Sequence, residues 1–149
     1  MKLLRKTYSD VILTTDIIVG FPGETEKEFE VTYQNLKEIN FYKMHVFKYS
    51  KREGTKAATM PDQITPEKQE ERSKKLINLS ESNQKKYHEA IIGKNVEVLF
   101  EEQIGKDIQG HTQNYFMVKV KDKTIEPYQN QIKKVQLMKI ENGELIGKI

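Results

Sequence analysis

Apolar residues follow two different spacings in the first third of the chain. An apolar run from Ile17 to Val19 stops at residues 20–23, Gly-Phe-Pro-Gly, which is typical of a buried parallel strand that ends in a tight turn. Four apolar residues then recur at helical spacing: Phe29, Tyr33, Leu36 and Ile39. Thr25 and Glu28 have the spacing of a capping box, so the helix is predicted to begin near Glu26.

Residues 44–49 alternate again, with His45, Phe47 and Tyr49 on one face. A strand, a helix and a second strand in this order predict a right-handed βαβ unit. Its parallel strands are expected near 11–20 and 44–49, and its helix near 26–40. The residues before it, 2–8, are interpreted as the end of a preceding helix.

A long helix is predicted after residue 64. Thr65-Pro66-Glu67 combines a capping threonine, a first-turn proline and an early acid, and we expect the helix to run to about Ala90. Its apolar stripe is thin, with Arg72 near the top: Leu76, Leu79, Tyr87 and Ala90. We therefore predict a connecting helix whose first half lies largely in solvent.

Short alternating segments replace the helical pattern after residue 92. Residues 96–101 and 115–120 alternate as half-buried strands do, and Asn142-Gly143 has the sequence of a primed hairpin turn. Roughly four or five short strands predict a small closed antiparallel β-barrel, similar to an OB fold. The predicted fold class is α/β plus all-β, in three segments: 1–64 for the α/β part, 65–90 for a linker helix and 91–149 for the barrel.

Composition narrows the class of protein. Hydrophobic residues make up 36% of the chain and charged residues 32%, and the mean hydropathy of -0.72 is lean for a compact core. No apolar run reaches the roughly 20 residues that a membrane span needs, and Met1 to Lys6 is too short and too charged for a signal peptide. The chain has no cysteine, so we expect a cytoplasmic protein that needs no oxidation.

Charge is distributed unevenly along the chain. The net charge is +3, and residues 89–149 carry nine basic and nine acidic side chains, which argues against strong non-specific binding of nucleic acid by the barrel. A basic run lies earlier, opposed only by Glu53: Lys43, Lys48, Lys51, Arg52 and Lys56. This run is either a solvated loop or a basic surface beside a site.

Few residues suggest catalysis directly. There is no Ser-His-Asp order, no Walker loop and no HExxH motif, and the three histidines are too widely spaced for a metal site. Asp16 either aims a carboxylate at a ligand or is buried and satisfied by neighbouring strands. His45 is expected to be a core histidine rather than a ligand.

Three motifs in fixed order carry a resemblance to a known family. Residues 14–25, TTDIIVGFPGET, are similar to the strand and turn beside the cofactor in radical S-adenosylmethionine (SAM) methylthiotransferases. Residues 45–55 resemble the next barrel strand and its YSxRxGT loop, and residues 92–115 resemble the RNA-binding TRAM domain. The chain looks like the C-terminal part of such an enzyme: late strands of an incomplete (β/α) barrel, a linker helix and a TRAM barrel.

The resemblance implies specific site residues. The cofactor wall would contain the following residues: Asp16, Ile18, Gly20, Pro22, Gly23, Glu24 and Tyr49. RNA contacts would come from a second set: Lys51, Arg52, Lys94, His111, Asn114 and Tyr115. Three of these residues have a plainer interpretation: Glu24 as a first-turn acid, Arg52 in a salt bridge with Glu53 or Glu24, and Tyr115 in the core.

The resemblance also implies groups that this chain does not hold. The family carries two 4Fe–4S clusters on cysteines, and this chain has none, so we expect it to be inactive alone and to need the missing N-terminal part. The implied reaction uses SAM to add a methylthio group to N6-threonylcarbamoyladenosine in the tRNA anticodon region. Isopentenyladenosine or ribosomal-protein methylthiotransferases, or a stand-alone RNA-binding module, are the alternatives.

Overall fold

The computed structural model describes residues 1–8, 10–121 and 128–149. Contacts group the chain into two compact units, residues 1–84 and 85–149, and each is described by itself. The boundary falls inside a long helix. The sequence-based division, with 65–90 as a linker, stays a prediction.

Unit 1–84 contains the predicted βαβ arrangement. Strand β1, Thr14–Val19, pairs in parallel with β2, Lys43–Lys48, in an unbroken register, and helix α2, Glu26–Ile39, connects them. The capping box is formed, because Glu28 N donates to Thr25 Oγ1 at 3.2 Å and Thr25 N donates to Glu28 Oε2 at 2.8 Å. The prediction of parallel strands around one helix is confirmed.

This unit also contains helix α1, Lys2–Thr7, and most of helix α3, Pro66–Glu89. Helix α1 is the short helix expected before β1. A 3-10 helix lies at Lys56–Thr59. The apolar core combines residues of β1, α2, β2 and α3 with two residues that precede the strands, Leu13 and Phe41. The others are Val19, Phe29, Leu36, Met44, Leu76 and Leu79.

The expectation that the first half of α3 is largely in solvent is wrong. Arg72 and Ser73 are buried, and the buried face of the helix continues through two more polar residues. Ser80 Oγ accepts a hydrogen bond from Met44 N at 2.9 Å, and Asn83 Nδ2 donates to Phe41 O at 2.9 Å. Polar side chains of α3 thus satisfy backbone groups at the start of β2, whereas Ala90 of the predicted stripe is exposed.

Unit 85–149 is a closed barrel of five strands in the order β3-β4-β5-β7-β6. Their bounds are as follows: β3 Asn95–Ile104, β4 Asp107–Thr112, β5 Met117–Lys121, β6 Ile132–Glu141 and β7 Glu144–Lys148. The prediction of an entirely antiparallel barrel is wrong, because β5 and β7 pair in parallel. An odd number of strands cannot alternate in direction around a closed ring, so at least one neighbouring pair must be parallel.

Local sequence explains a hairpin turn and a close approach of two backbones in the barrel. Asn142 and Gly143 both have positive φ, 52° and 83°, as the predicted primed hairpin turn between β6 and β7 requires. At Gly110, opposite a β-bulge in β3, an added Cβ would lie 1.9 Å from the Leu99 carbonyl oxygen. Among the described residues, no helix is both long and apolar enough to cross a bilayer.

Candidate functional site

One face of the two-stranded sheet is exposed. In the parallel register Asp16 lies opposite His45, and Ile18 lies opposite Phe47. Ile18 is 57% exposed and Phe47 52%, although both are large apolar residues. Asp16 and His45 are exposed as well, so the interpretations of Asp16 as a buried aspartate and of His45 as a core histidine are both wrong.

A tight turn follows β1 at the end of this face. Glu24 N donates to Phe21 O at 2.9 Å, with Pro22 and Gly23 between them and φ at Gly23 of 84°. Proline followed by a residue with positive φ is the signature of a type II turn. Pro22 is buried and Gly23 is exposed, so the turn presents backbone to solvent beside the strand end.

Glu24 braces this turn. Its Oε2 accepts hydrogen bonds from Gly20 N at 2.7 Å and from Arg72 Nη1 at 2.7 Å, and Arg72 Nη1 also donates to the Glu24 carbonyl at 3.0 Å. The Arg72 side chain is only 4% exposed. The carboxylate of Glu24 therefore ties the turn to α3, and the alternative pairing of Glu24 with Arg52 is not formed.

Gln69 holds the other side of the turn. Its Nε2 donates to Gly20 O at 3.3 Å, and a Cβ on Gly20 would lie 2.4 Å from Gln69 Cγ. Gly20 also has a φ of 73°, so helix packing and backbone conformation both favour glycine there. Sequence reasoning missed Gln69 and Arg72, although they share a helical stripe with Leu76.

Tyr49 follows β2 at the same end of the sheet. Its ring packs edge-on against Phe21, with centroids 5.3 Å apart, and its backbone N donates to Val19 O at 2.8 Å. The Tyr49 hydroxyl is buried and has no hydrogen-bond partner in the part of the chain that the structure describes. A buried unpaired hydroxyl is unusual, and it marks this strand end as a place where a ligand would gain a hydrogen bond.

The basic run continues from Tyr49 into an exposed loop. Lys48 pairs with Glu70 at 3.0 Å. Lys51 and Arg52 are exposed, and neither side chain forms an ion pair within the described ranges 1–8, 10–121 and 128–149. The proposed salt bridges of Arg52 are therefore not seen, and both cations face solvent.

A second group of predicted residues meets on the barrel. His111 is on β4, with its ring 5.8 Å from that of Tyr115 and its Nδ1 2.5 Å from Glu101 Oε2. Tyr115 is 80% exposed, so its interpretation as a core residue is wrong; Phe116 is buried instead. Asn114 is half-buried in the same turn.

Glu101, His111 and Tyr115 line an open pocket of about 450 Å³, whereas Asn114 is not part of its lining. Its lining consists of eight residues: Glu97, Leu99, Glu101, His111, Thr112, Gln113, Tyr115 and Ile132. Lys94, the predicted phosphate contact, is exposed but is not part of this lining. The structure thus brings His111 and Tyr115 together and leaves Lys94 outside their pocket.

Ligands for an iron–sulfur cluster are missing. The sequence contains no cysteine, and the described residues contain no group of three or more His, Asp or Glu side chains that would hold a metal ion. Clusters of this kind need thiolates, so the residues present do not fit one.

The sequence is similar to known tRNA-modifying enzymes. It is 40% identical over 141 residues to the threonylcarbamoyladenosine tRNA methylthiotransferase MtaB of Bacillus subtilis, covering 91% of this chain and 31% of that protein. It is 41% identical over 147 residues to the tRNA-2-methylthio-N(6)-dimethylallyladenosine synthase of Campylobacter jejuni, covering 98% and 34%. The synthase of the same name from Caldicellulosiruptor saccharolyticus is 40% identical over 120 residues, covering 79% and 26%. No family model matches the chain.

These relatives define the class of protein. Over most of its length, the chain is about 40% identical in sequence to enzymes named for methylthio transfer to tRNA. The chain belongs to the superfamily of MiaB-type tRNA methylthiotransferases, which includes MtaB. It spans about a quarter to a third of the length of these curated relatives. The two named substrates occur at equal identity, so identity alone does not choose between them.

Proposed function

We propose that this chain supplies part of the SAM-binding wall and a tRNA-binding surface to a cytoplasmic tRNA methylthiotransferase. The target is N6-threonylcarbamoyladenosine in the anticodon region. One observation carries the proposal. A sheet face with two exposed large apolar residues ends at a turn that Glu24 stabilises, and this segment is related in sequence to these enzymes. Open parallel sheets bind ligands at the carboxyl ends of their strands, where this turn lies.

The strand end has suitable chemistry for SAM. Ile18 and Phe47 offer an apolar surface to the adenine, and Asp16 offers a hydrogen-bond acceptor beside them. The unpaired hydroxyl of Tyr49 offers a donor. When bound, SAM supplies the methyl group and starts the radical chemistry of the reaction. Glu24 contributes indirectly, because it holds the Gly20–Gly23 turn in shape.

RNA contacts are proposed on each unit separately, charged ones on unit 1–84 and stacking ones on unit 85–149. Lys51 and Arg52 are exposed cations that suit phosphates. His111 and Tyr115 present neighbouring rings, which suit unpaired bases, with Asn114 in the same turn. Lys94 would add a phosphate contact elsewhere on the barrel.

A stand-alone RNA-binding module is the second candidate. It is favoured by the closed barrel, in which each of the five described strands is paired on both sides, and by the absence of cluster ligands in the sequence. In that case the α/β unit would serve as scaffold. Tests of the isolated chain alone do not separate the two candidates, because both predict RNA binding.

A chimera separates them. We would replace the matching segment of the Bacillus subtilis relative with this chain, express it in a strain lacking that relative, and quantify methylthio-modified tRNA by mass spectrometry. Restored modification is expected. A second chimera in the Campylobacter jejuni relative, which this chain matches over 98% of its own length, guards against a poor fit to one host. Two soluble chimeras that bind tRNA but restore no modification would favour the module.

A matched pair of variants tests the sheet face. Ile18→Glu places a charge where the adenine is proposed to pack, and modification should fall by at least about tenfold, a loss of about 1.4 kcal/mol. Val31→Glu makes the same change on helix α2 at a residue of similar exposure, 55% against 57%, and should leave modification unchanged. Equal effects of both substitutions would contradict a SAM wall at Ile18.

A further inference from the structure

The pocket on the barrel has a lining that disfavours phosphate. Two of its eight lining residues, Glu97 and Glu101, are carboxylates, and none is lysine or arginine. Its volume of about 450 Å³ falls within the roughly 300–1,000 Å³ typical of small-molecule sites. The pocket therefore fits a ligand group that carries hydrogen-bond donors rather than negative charge.

A row of three neighbouring residues on three strands lines the pocket, and two of the three are apolar. Leu99 on β3 lies opposite His111 on β4 and opposite Ile132 on β6. Leu99 is 40% exposed and Ile132 64%, and the Tyr115 ring stands beside that of His111. Exposed apolar side chains beside aromatic rings suit the stacking of a planar base.

Tyr115 is held in place by a strained turn. Its φ is 60°, a conformation that is rare for a bulky side chain. Tyr115 N donates to Thr112 O at 2.9 Å, and Phe116 N donates to Thr112 Oγ1 at 3.0 Å. Strain of this kind persists where the surrounding structure enforces it, and it concentrates at ligand sites.

The two carboxylates flank Leu99. Glu97 and Glu101 are two residues to either side of Leu99 along β3, and both are exposed. Glu101 Oε2 contacts His111, whereas the Glu97 carboxylate has no hydrogen-bond or ion-pair partner among the residues that the structure describes. Carboxylates accept hydrogen bonds from the exocyclic amino groups of bases, as they do from cytosine.

We propose that this pocket binds one unpaired RNA base that bears an exocyclic amino group. The base stacks over Leu99 beside Tyr115, and its amino group donates to the carboxylate of Glu97 or Glu101. The assignment rests on the proposed RNA-binding function of the barrel and adds a base preference to it. A lysine or arginine side chain of a partner protein has matching charge, but the relatives are named for action on tRNA, which favours a base.

The test measures affinity for oligonucleotides that differ in one amino group. The full chain is titrated with short single-stranded uridine oligomers that carry one central test nucleotide, and fluorescence anisotropy gives the Kd. Cytidine should bind about three- to tenfold tighter than uridine, and adenosine tighter than purine riboside, which lacks only the amino group. Glu97→Met combined with Glu101→Met removes both acceptors and should remove both preferences. Glu102→Met, on the same strand but outside the pocket lining, should keep them.

Each other outcome has a distinct meaning. Binding of all four oligomers with equal affinity overturns the base preference and leaves the RNA-binding function standing. Failure to bind any oligomer or tRNA overturns both. If an arginine-containing peptide binds and the double variant abolishes only that binding, the ligand is a protein and the proposal is wrong.

Discussion

Each of the two units is stabilised internally by a different kind of contact. In unit 1–84, helix α3 contributes buried polar side chains, among them Arg72 and Asn83, that hydrogen-bond to backbone and to Glu24. In unit 85–149, the core is mainly aliphatic and is enclosed by a ring of paired strands. One unit thus adds a few buried polar contacts to its apolar core, whereas the other relies mainly on apolar packing inside its ring of strands.

The surfaces of the two units also differ, because one exposes a strand face and the other exposes a pocket. The α/β unit exposes a nearly continuous strand face, with Ile18 and Phe47 in register. Each described strand of the barrel is paired on both sides. Three of its exposed large apolar residues line one pocket together with two carboxylates: Leu99, Tyr115 and Ile132. We therefore propose the first surface for the cofactor wall and the second for base recognition.

The largest expected effect comes from removing the buried arginine. Arg72→Met should destabilise unit 1–84 by about 3 kcal/mol or more, because Glu24 would keep a poorly solvated charge without its partner. Amide hydrogen exchange, read separately for each unit, measures the destabilisation. The barrel should keep its protection factors.

Two further variants sharpen this prediction. Lys74→Met on the exposed face of α3 removes only a surface pair with Glu70 and should cost less than about 1 kcal/mol. Adding Glu24→Gln to Arg72→Met should recover part of the stability, since the unpaired charge is then gone. An Arg72→Met protein as stable as the parent would show that the buried polar contacts do not stabilise unit 1–84.

Packing in the barrel is tested at Gly110. Gly110→Ala should destabilise unit 85–149 by about 2 kcal/mol, because the new Cβ meets a backbone carbonyl that cannot rotate away. Lys106→Ala, at an exposed turn of the same unit, should change the free energy of unfolding by no more than about 0.5 kcal/mol. Thermal unfolding followed by circular dichroism compares the two, and equal melting temperatures would contradict the tight approach of β3 and β4.

Local sequence signals predicted much of this architecture. Thr25 and Glu28 fixed the start of α2, because a capping box satisfies its own backbone donors, and Asn142-Gly143 fixed a hairpin, because both residues tolerate positive φ. Such signals depend on neighbours in sequence, so they are readable without the fold.

Long-range polar contacts could not be predicted in this way. Arg72 is charged and lies in a helix with a thin apolar stripe, so its burial depends on Glu24, 48 residues earlier. His45 alternates like a core residue, but its exposure depends on what covers that face of the sheet. The parallel pairing of β5 with β7 follows from barrel closure, which no single segment encodes.

A smaller change in the stability of the barrel unit is expected when the pH is lowered. Burial lowers the pKa of His88, with an opposing hydrogen bond to the Gly143 backbone. The unfolded chain then binds a proton more readily than the folded chain, so stability falls as pH drops below the usual histidine value of about 6.5. Chemical denaturation between pH 7 and about pH 5 should show this decrease, and His88→Gln should flatten it.

The smallest change in stability is expected at Tyr115, where one variant tests whether the residue serves RNA binding or only the structure of its turn. Tyr115→Gly removes an exposed ring and relieves a positive φ, so the melting temperature should change by the equivalent of less than about 1 kcal/mol. RNA affinity should nevertheless fall at least about fivefold, because the stacking ring is gone. A large decrease in stability with unchanged affinity would mean that the turn is structural.

The salt dependence of tRNA binding tests the central claim most directly. The chain is titrated with tRNA at several salt concentrations, alongside a Lys51→Glu, Arg52→Glu double variant and Tyr115→Ala. The double variant should bind more weakly mainly at low salt, because phosphate contacts are screened at high salt, and the salt slope should fall by roughly one unit for each phosphate that is no longer bound. Tyr115→Ala should weaken binding about equally at all salt concentrations. If both variants fold and bind tRNA as the parent does, neither surface contacts tRNA and the account is contradicted.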